Sequence, residues 1–88
     1  MPFDSNLWDL DDDPDGNVQH CTKHGVTKEE VEEVFQNATD ADISRSSGRP
    51  VVFGETSTGR HVMVVYEEID ADTVYPITAY DVPTRRRP

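Results

Sequence analysis

Residues 26–38 read VTKEEVEEVFQNA and contain the strongest helix signal in the chain. Thr27 is followed three residues later by Glu30, which is the spacing of a capping box, where each side chain accepts a hydrogen bond from the other residue's backbone N–H. From Val31 onward, apolar residues recur at intervals of three and four, so one face of the helix is apolar. The pattern predicts a helix from about residue 28 to residue 37 that packs on a core.

The sequence before this helix predicts three short segments. Residues 6–10 alternate between apolar and polar side chains, which favours a short strand with Trp8 turned to the core. Residues 11–17 read DDDPDGN, a composition typical of a turn. Residues 18–25 are long enough for two helical turns, and Gly25 is suited to end them.

The sequence after the helix predicts strands at 41–46, 49–54, 61–66 and 74–80. The third of these is apolar on both faces, as expected of a central strand, and Pro76 in the last one indicates a sheet edge or a bulge. The chain is therefore predicted to be an α+β fold. It would have a short N-terminal strand and one or two helices packed on a three- to four-stranded antiparallel sheet.

Length and composition favour one domain over residues 1–88, because 88 residues leave too little interior for two cores. Residues 1–17 would be an acidic N-terminal segment and residues 83–88 a basic flexible tail. The single Cys21 excludes an internal disulfide, the first residues lack the pattern of a signal peptide, and no apolar run reaches the ~20 residues of a membrane helix. We therefore expect a cytoplasmic protein without a membrane partner.

The formal charge of −10 limits the partners that the chain can bind. A field of this sign repels phosphate backbones and argues against direct binding to DNA. It suits a basic protein partner, or a protein that is kept in solution by its own repulsion.

The acidic turn resembles the first half of a calcium loop, because Asp11, Asp13 and Asp15 alternate before Gly16. Thr22 occupies the position where such a loop needs a bidentate acid, so a solvated acidic turn is the favoured interpretation.

A zinc site is the second metal alternative, since His20, Cys21 and His24 are ligand types that could gather on a short helix. A structural zinc site closes with four ligands, and only the distant His61 could complete this one. We predict no metal and no cofactor.

Basic and phenolic residues of the helix and sheet provide candidate chemistry for RNA cleavage. Attack by a 2′-hydroxyl needs a base, an acid and cations around the phosphate, and these groups can act without a metal. The candidates are Lys23, His24, Arg45, Arg49, Arg60 and Tyr80. In the alternative interpretation, the three arginines only solvate strand ends and pair with the surplus acids.

The order and approximate spacing of several motifs resemble the BrnT family, toxins of bacterial type II toxin–antitoxin modules within the RelE-like ribonuclease group. The motifs are Trp8-Asp9, Lys23-His24-Gly25-Val26, residues 29–35, Gly54-Glu55-Thr56, Gly59-Arg60, residues 62–66 and Ile77-Thr78-Ala79. The resemblance implies a small sheet packed against helices and a metal-independent ribonuclease that arrests translation. It also implies a cognate DNA-binding antitoxin encoded beside the toxin.

The resemblance also implies roles for individual residues. Lys23 and His24 match the family's Lys-His pair, and His24 or Lys23 would handle protons. Arg60 matches the Gly-Arg before the central strand and would hold phosphate. His20 and Tyr80 stand where the family usually has Asn and Arg, and Tyr80 could act as an acid or stack on a base. Apart from the resemblance, Arg45 and Arg49 of the basic set would contribute to substrate binding.

The rival hypothesis is a non-catalytic acidic protein-interaction module on the same scaffold, so the sequence leaves open whether the chain is an enzyme. The ribonuclease hypothesis predicts that Lys23, His24, Arg60 and Tyr80 converge on one face. The interaction hypothesis predicts their dispersal and a continuous acidic or apolar patch.

Overall fold

The computed structural model describes residues 5–38, 40–43 and 48–82. The elements in this part of the chain are β1 (Ser5–Asn6), α1 (Asn17–Lys23), α2 (Lys28–Gln36), β2 (Asp40–Ile43), β3 (Pro50–Glu55), β4 (His61–Glu68) and β5 (Thr73–Asp81). The strands form one sheet in the order β1-β5-β4-β3-β2. The α+β class is confirmed, but the described residues form a five-stranded mixed sheet where three or four antiparallel strands were expected.

The difference arises at the N-terminus, where β1 pairs with β5 in parallel and over two residues only. The predicted strand over residues 6–10 is wrong beyond Asn6. The Leu7 N–H still donates to the Val74 carbonyl (2.9 Å), but side chains bind the backbone groups that follow it. The Asn17 side chain donates to the Leu7 carbonyl (2.8 Å) and accepts from the Asp9 N–H (2.8 Å). Trp8 is turned inward as expected, and its indole N–H donates to Glu32 of α2 (3.0 Å).

Helix α2 begins with the predicted capping box. The Glu30 N–H donates to Thr27 Oγ1 and the Thr27 N–H donates to Glu30 Oε1, both over 3.1 Å. The apolar side chains of the helix are buried against β3 and β4. At Gly54 the contact is so close that a Cβ atom would lie 3.0 Å from the Val34 carbonyl oxygen. Glycine at this position lets the helix backbone lie directly on the sheet.

Helix α1 is short and ends as the sequence predicts. Gly25 has a φ of +81°, a conformation that L side chains rarely adopt, and it turns the chain so that Val26 enters the core. Val18 and Cys21 are buried on the inner face of α1, whereas His20 and Lys23 lie on its exposed side. The helix packs mainly on β5.

Register assigns each sheet residue to one of two faces, because directly paired residues share a face. Val64 and Ala79 are paired and lie in the core beneath the helices, so the next pair, Met63 and Tyr80, lies on the face turned away from α2. Between Val65 and Tyr66 the register shifts, and one extra residue of β5, Ile77, forms a β-bulge beside Pro76. The irregularity predicted from Pro76 is confirmed.

Several sequence predictions fall partly or wholly outside the described residues. These are Arg45, the end of the predicted strand at 41–46, the first four residues of the acidic segment and the tail at 83–88. Within the described ranges, α1 has seven residues and α2 has nine, and no helix there is long and apolar enough to cross a membrane.

Candidate active site

A cleft of about 260 Å³ lies between α1 and β5, and we call it the α1–β5 cleft. Its helix wall is formed by His20, Lys23 and His24, and its strand wall by Ile77, Thr78 and Tyr80. The three helix residues follow one another at i, i+3 and i+4, so they share one side of α1. The bulge at Ile77 lies in the strand wall, where a bulged strand bends at the extra residue.

The rings of His24 and Tyr80 contact each other in this cleft. Their ring centroids are 4.4 Å apart with an interplanar angle of 50°. Tyr80 keeps 36% of its surface exposed, so part of its ring faces solvent beside the imidazole. A planar group entering the cleft would therefore meet an aromatic surface next to two imidazoles and an ammonium group.

The polar groups of the cleft are available for a ligand. Among the described residues, the side chains of His20, Lys23, His24 and Tyr80 make no hydrogen bond or ion pair with one another or with their surroundings. None of the six residues that line the cleft is a carboxylate. In a chain with a charge of −10, this cleft is a local region of positive and titratable groups.

Arg60 lies beside the cleft but does not line it. Its Nη1 donates to the Gly25 carbonyl (2.9 Å) and to Glu30 Oε1 (2.7 Å), and its Nε donates to Asp81 Oδ1 (2.9 Å). Its hydrogen bonds to Asp81 and Glu30 raise the pKa of Arg60 further, and the hydrogen bond from Arg60 lowers the pKa of the Asp81 carboxyl. The guanidinium is thus occupied by two carboxylates, and its partners Gly25 and Asp81 directly follow His24 and Tyr80 in sequence.

The structure does not bring the other predicted arginines to this place. Arg49 directly precedes β3, whereas Arg60 directly precedes β4, so they stand at opposite ends of an antiparallel pair of strands. Arg49 does not line the α1–β5 cleft. Arg45 lies outside the described residues.

His20 is a residue of the cleft that sequence reasoning considered only as a zinc ligand. Its spacing from Lys23 and His24 was the available signal, because i, i+3 and i+4 place side chains on one helix face. Cys21 points the other way and is fully buried, and burial raises the pKa of its thiol to about 11. His20 therefore lies on the exposed side of α1 and Cys21 on the buried side.

The acidic turn, residues 11–17, makes a hydrogen bond between its own residues and an ion pair with α2. The Asp15 N–H donates to Asp13 Oδ1 (3.0 Å), and Lys28 Nζ donates to Asp11 Oδ1 (3.1 Å). Across residues 5–38, 40–43 and 48–82, no group of three or more His, Cys, Asp or Glu side chains is placed to hold a metal ion.

A second cleft, of about 570 Å³, lies on the other side of the His20–Lys23 ridge of α1. Both ridge residues line it, together with Gln19 and Thr22 of the same helix and Pro14 and Asp15 of the acidic turn. We call it the α1–turn cleft. The two clefts are therefore separated by side chains that they share.

Comparison with protein-family models, with curated proteins and with solved structures finds no match to this chain.

Proposed function

We propose that this protein is a metal-independent ribonuclease that works in the α1–β5 cleft, as a BrnT-like toxin of a toxin–antitoxin module. The observation that carries the proposal is the grouping of His20, Lys23, His24 and Tyr80 around one cleft without competing hydrogen bonds among the described residues. These are the residue types that attack by a 2′-hydroxyl requires, and they reach this grouping from two elements far apart in sequence.

The chemistry assigns a role to each group. One imidazole takes the proton of the 2′-hydroxyl, the 2′ oxygen attacks the adjacent phosphorus, and the bond to the 5′ oxygen breaks. The other imidazole donates a proton to that leaving oxygen, so the products are a 2′,3′-cyclic phosphate and a 5′-hydroxyl end. His24 and His20 supply this pair, Lys23 between them stabilises the phosphate charge, and Tyr80 stacks on a base.

Arg60 has a positioning role in this proposal, instead of the phosphate contact that the family resemblance implies. A phosphate would have to displace Asp81 or Glu30 from a guanidinium that both carboxylates already bind at 2.7 to 2.9 Å. By holding Gly25 and Asp81, Arg60 fixes the two backbone positions next to the stacked His24 and Tyr80 rings.

The test is cleavage of a single-stranded oligonucleotide that contains one ribonucleotide, measured with purified protein in EDTA. We expect cleavage at that position, and His24→Ala and His20→Ala should each reduce the rate by about a hundredfold or more. His61→Ala is the matched control, because His61 starts β4 and lines neither cleft. Unchanged cleavage by His24→Ala, or equal loss with His61→Ala, would contradict the proposal.

The second candidate function is the acidic interaction module, favoured by the sheet face turned away from α2. Phe53, Met63 and Tyr80 form a row across three strands of this face, and all three are partly exposed. Asp40 and Asp42 of β2 lie on the same face by register. An apolar row beside carboxylates would suit a partner with apolar and basic side chains.

Expression in bacteria separates the two candidates. Growth arrest that His24→Ala relieves supports the ribonuclease. An effect that survives His24→Ala but disappears with Met63→Glu, in a variant shown to be folded by circular dichroism, favours the interaction module instead.

A further inference from the structure

The α1–turn cleft differs from the α1–β5 cleft in the hydrogen-bonding groups that it offers. The Thr22 hydroxyl donates its only hydrogen to the Val18 carbonyl (3.0 Å), which leaves its oxygen as an acceptor. The Gln19 amide nitrogen donates one of its two hydrogens to the Asp11 carbonyl, and the amide oxygen remains as an acceptor. The Asp15 carboxylate has no hydrogen to donate. Away from the ridge, this cleft therefore mainly presents acceptors.

An acceptor-lined cleft with a carboxylate selects its occupant. Away from the ridge a phosphate is disfavoured, because the Asp15 carboxylate would repel it and the other residues there, Pro14, Gln19 and Thr22, carry no cation. Lys23 at the ridge disfavours a cation in the same way, so the favoured occupant is uncharged and carries N–H donors close together. His20 and Lys23 stand on the ridge between the two clefts and suit an anion there. The occupant should therefore be covalently joined to an anionic group.

We propose that the α1–turn cleft binds an unpaired guanine base next to the phosphate that is cleaved, so the substrate is single-stranded RNA with a guanosine at that step. Among the four RNA bases, guanine presents an imino N–H and an amino group side by side, which fit the two oxygens of a carboxylate. Single-stranded RNA is read in this way, through the Watson–Crick edges of unstacked bases. Asp15 is the specificity residue, with Gln19 and Thr22 as further acceptors.

The α1–β5 cleft would hold the neighbouring nucleotide without base selection. Tyr80 and Ile77 offer it a flat aromatic and apolar wall, and stacking tolerates any base because each has a π face. The His20–Lys23 ridge then receives the phosphate that joins the two nucleotides. This assignment rests on the proposed ribonuclease function for its ridge phosphate, but its guanine preference can be measured by binding alone.

The experiment uses 2′-O-methyl hexauridylate probes, which cannot be cleaved by their own 2′ oxygen, with one central guanosine, inosine or adenosine. Titration is followed through the backbone amide signals of Gln19 and Thr22 in nuclear magnetic resonance spectra. We expect the guanosine probe to bind about tenfold more tightly than the adenosine probe. Inosine, which lacks the amino group but keeps the imino N–H, should lie between them.

Asp15→Asn should reduce the guanosine preference to within about twofold, because one carboxylate oxygen becomes a donor. The matched control is Asp12→Asn, which removes the same charge from the same turn at a residue that lines neither cleft. It should keep the preference. Both aspartates are exposed, so neither change threatens the core.

The outcomes separate this inference from the proposed function. Equal binding of guanosine and adenosine probes, or an equal loss with Asp12→Asn and Asp15→Asn, overturns the guanine site even if RNA is cleaved. A guanosine preference that depends on Asp15 supports the site even if no cleavage is found, and the proposed ribonuclease then fails alone.

Discussion

The two ends of α1 differ from the side of the helix that lines the α1–β5 cleft in how their polar side chains are bonded. At the ends polar side chains are hydrogen-bonded, and on the cleft side they make no hydrogen bond with a described residue. At the N-terminal end, the buried Asn17 side chain donates to the carbonyls of Leu7 and Pro76 (2.8 and 2.7 Å) and accepts from the Asp9 N–H. Asp9 Oδ2 in turn accepts from the Tyr75 hydroxyl and from the Asn17 N–H. We call this group the Asn17 anchor.

At the C-terminal end, Arg60 binds the Gly25 carbonyl, Glu30 and Asp81, and we call this group the Arg60 anchor. Between the anchors, the side chains of His20 and Lys23 make no hydrogen bond or ion pair with any described residue. Carboxylates outnumber basic residues 18 to 8 in this chain, so a basic group can readily find an acidic partner. The contrast teaches that the polar groups of the two anchors are paired, whereas the lining of the α1–β5 cleft contains no carboxylate.

The largest expected effect on stability comes from Asn17→Ala, which removes the Asn17 anchor. The carbonyls of Leu7 and Pro76 would lose their donor, so we expect the free energy of unfolding to fall by about 3 kcal/mol. Urea unfolding measures this change. Asn37→Ala, at the exposed end of α2, is the control and should stay within about 0.5 kcal/mol of the parent protein. Equal effects of the two substitutions would contradict the anchor.

Arg60→Gln tests the second anchor and should cost about 2 kcal/mol, because Glu30 keeps a partly buried charge without its partner. Lys28→Gln removes the more exposed pair with Asp11 and should cost less than about 1 kcal/mol. The same urea series measures both. If Arg60→Gln lowered the free energy of unfolding no more than Lys28→Gln, the contacts of Arg60 would be ordinary surface pairs. That result would contradict its positioning role.

Tyr75→Phe gives a smaller effect with a characteristic pH dependence. The hydrogen bond to Asp9 raises the pKa of Tyr75 to about 12. Folding therefore favours the protonated phenol, and the resulting stability is complete below the ordinary pKa near 10 and is lost as pH rises from about 10 to 12. Tyr75→Phe should cost about 1 kcal/mol at pH 7 and remove this part of the alkaline loss.

Thermal unfolding at several pH values measures the effect of Tyr75→Phe. Tyr80→Phe is the matched control, since the Tyr80 hydroxyl makes no hydrogen bond with a described residue. An alkaline loss that is the same in Tyr75→Phe as in the parent protein would show that the Asp9 contact does not shift this titration.

The smallest expected effect is that of His20→Ala and Lys23→Ala on stability, which should stay within about 0.5 kcal/mol because both side chains are exposed and unbonded among the described residues. Chemical unfolding and RNA cleavage are measured on the same preparations. Loss of cleavage without loss of stability would sharpen the distinction between cleft and anchors. A stability loss near that of Arg60→Gln would contradict the distinction between the cleft and the anchors.

Sequence reasoning recovered the features that depend on neighbouring residues. The capping box of Thr27 and Glu30 spans three residues, Gly25 ends α1 through its own backbone, and Pro76 disturbs the strand that contains it. The same reasoning found Lys23, His24 and Tyr80, which the structure brings to one cleft. It did not foresee how Arg60 is bound, because charge pairing depends on which of many carboxylates the fold brings near.

Sequence reasoning missed the contacts between residues that are far apart along the chain. Arg60 binds partners that are 21, 30 and 35 residues away, and Asn17 binds a carbonyl 59 residues away. The sequence by itself determined the α+β class, the capping box of α2, the end of α1 at Gly25 and the residue types available for chemistry, since each follows from side chains a few positions apart. Only the tertiary structure decided the parallel pairing of β1, the two anchors and the shared ridge between the clefts, because these depend on segments that meet only in the folded chain.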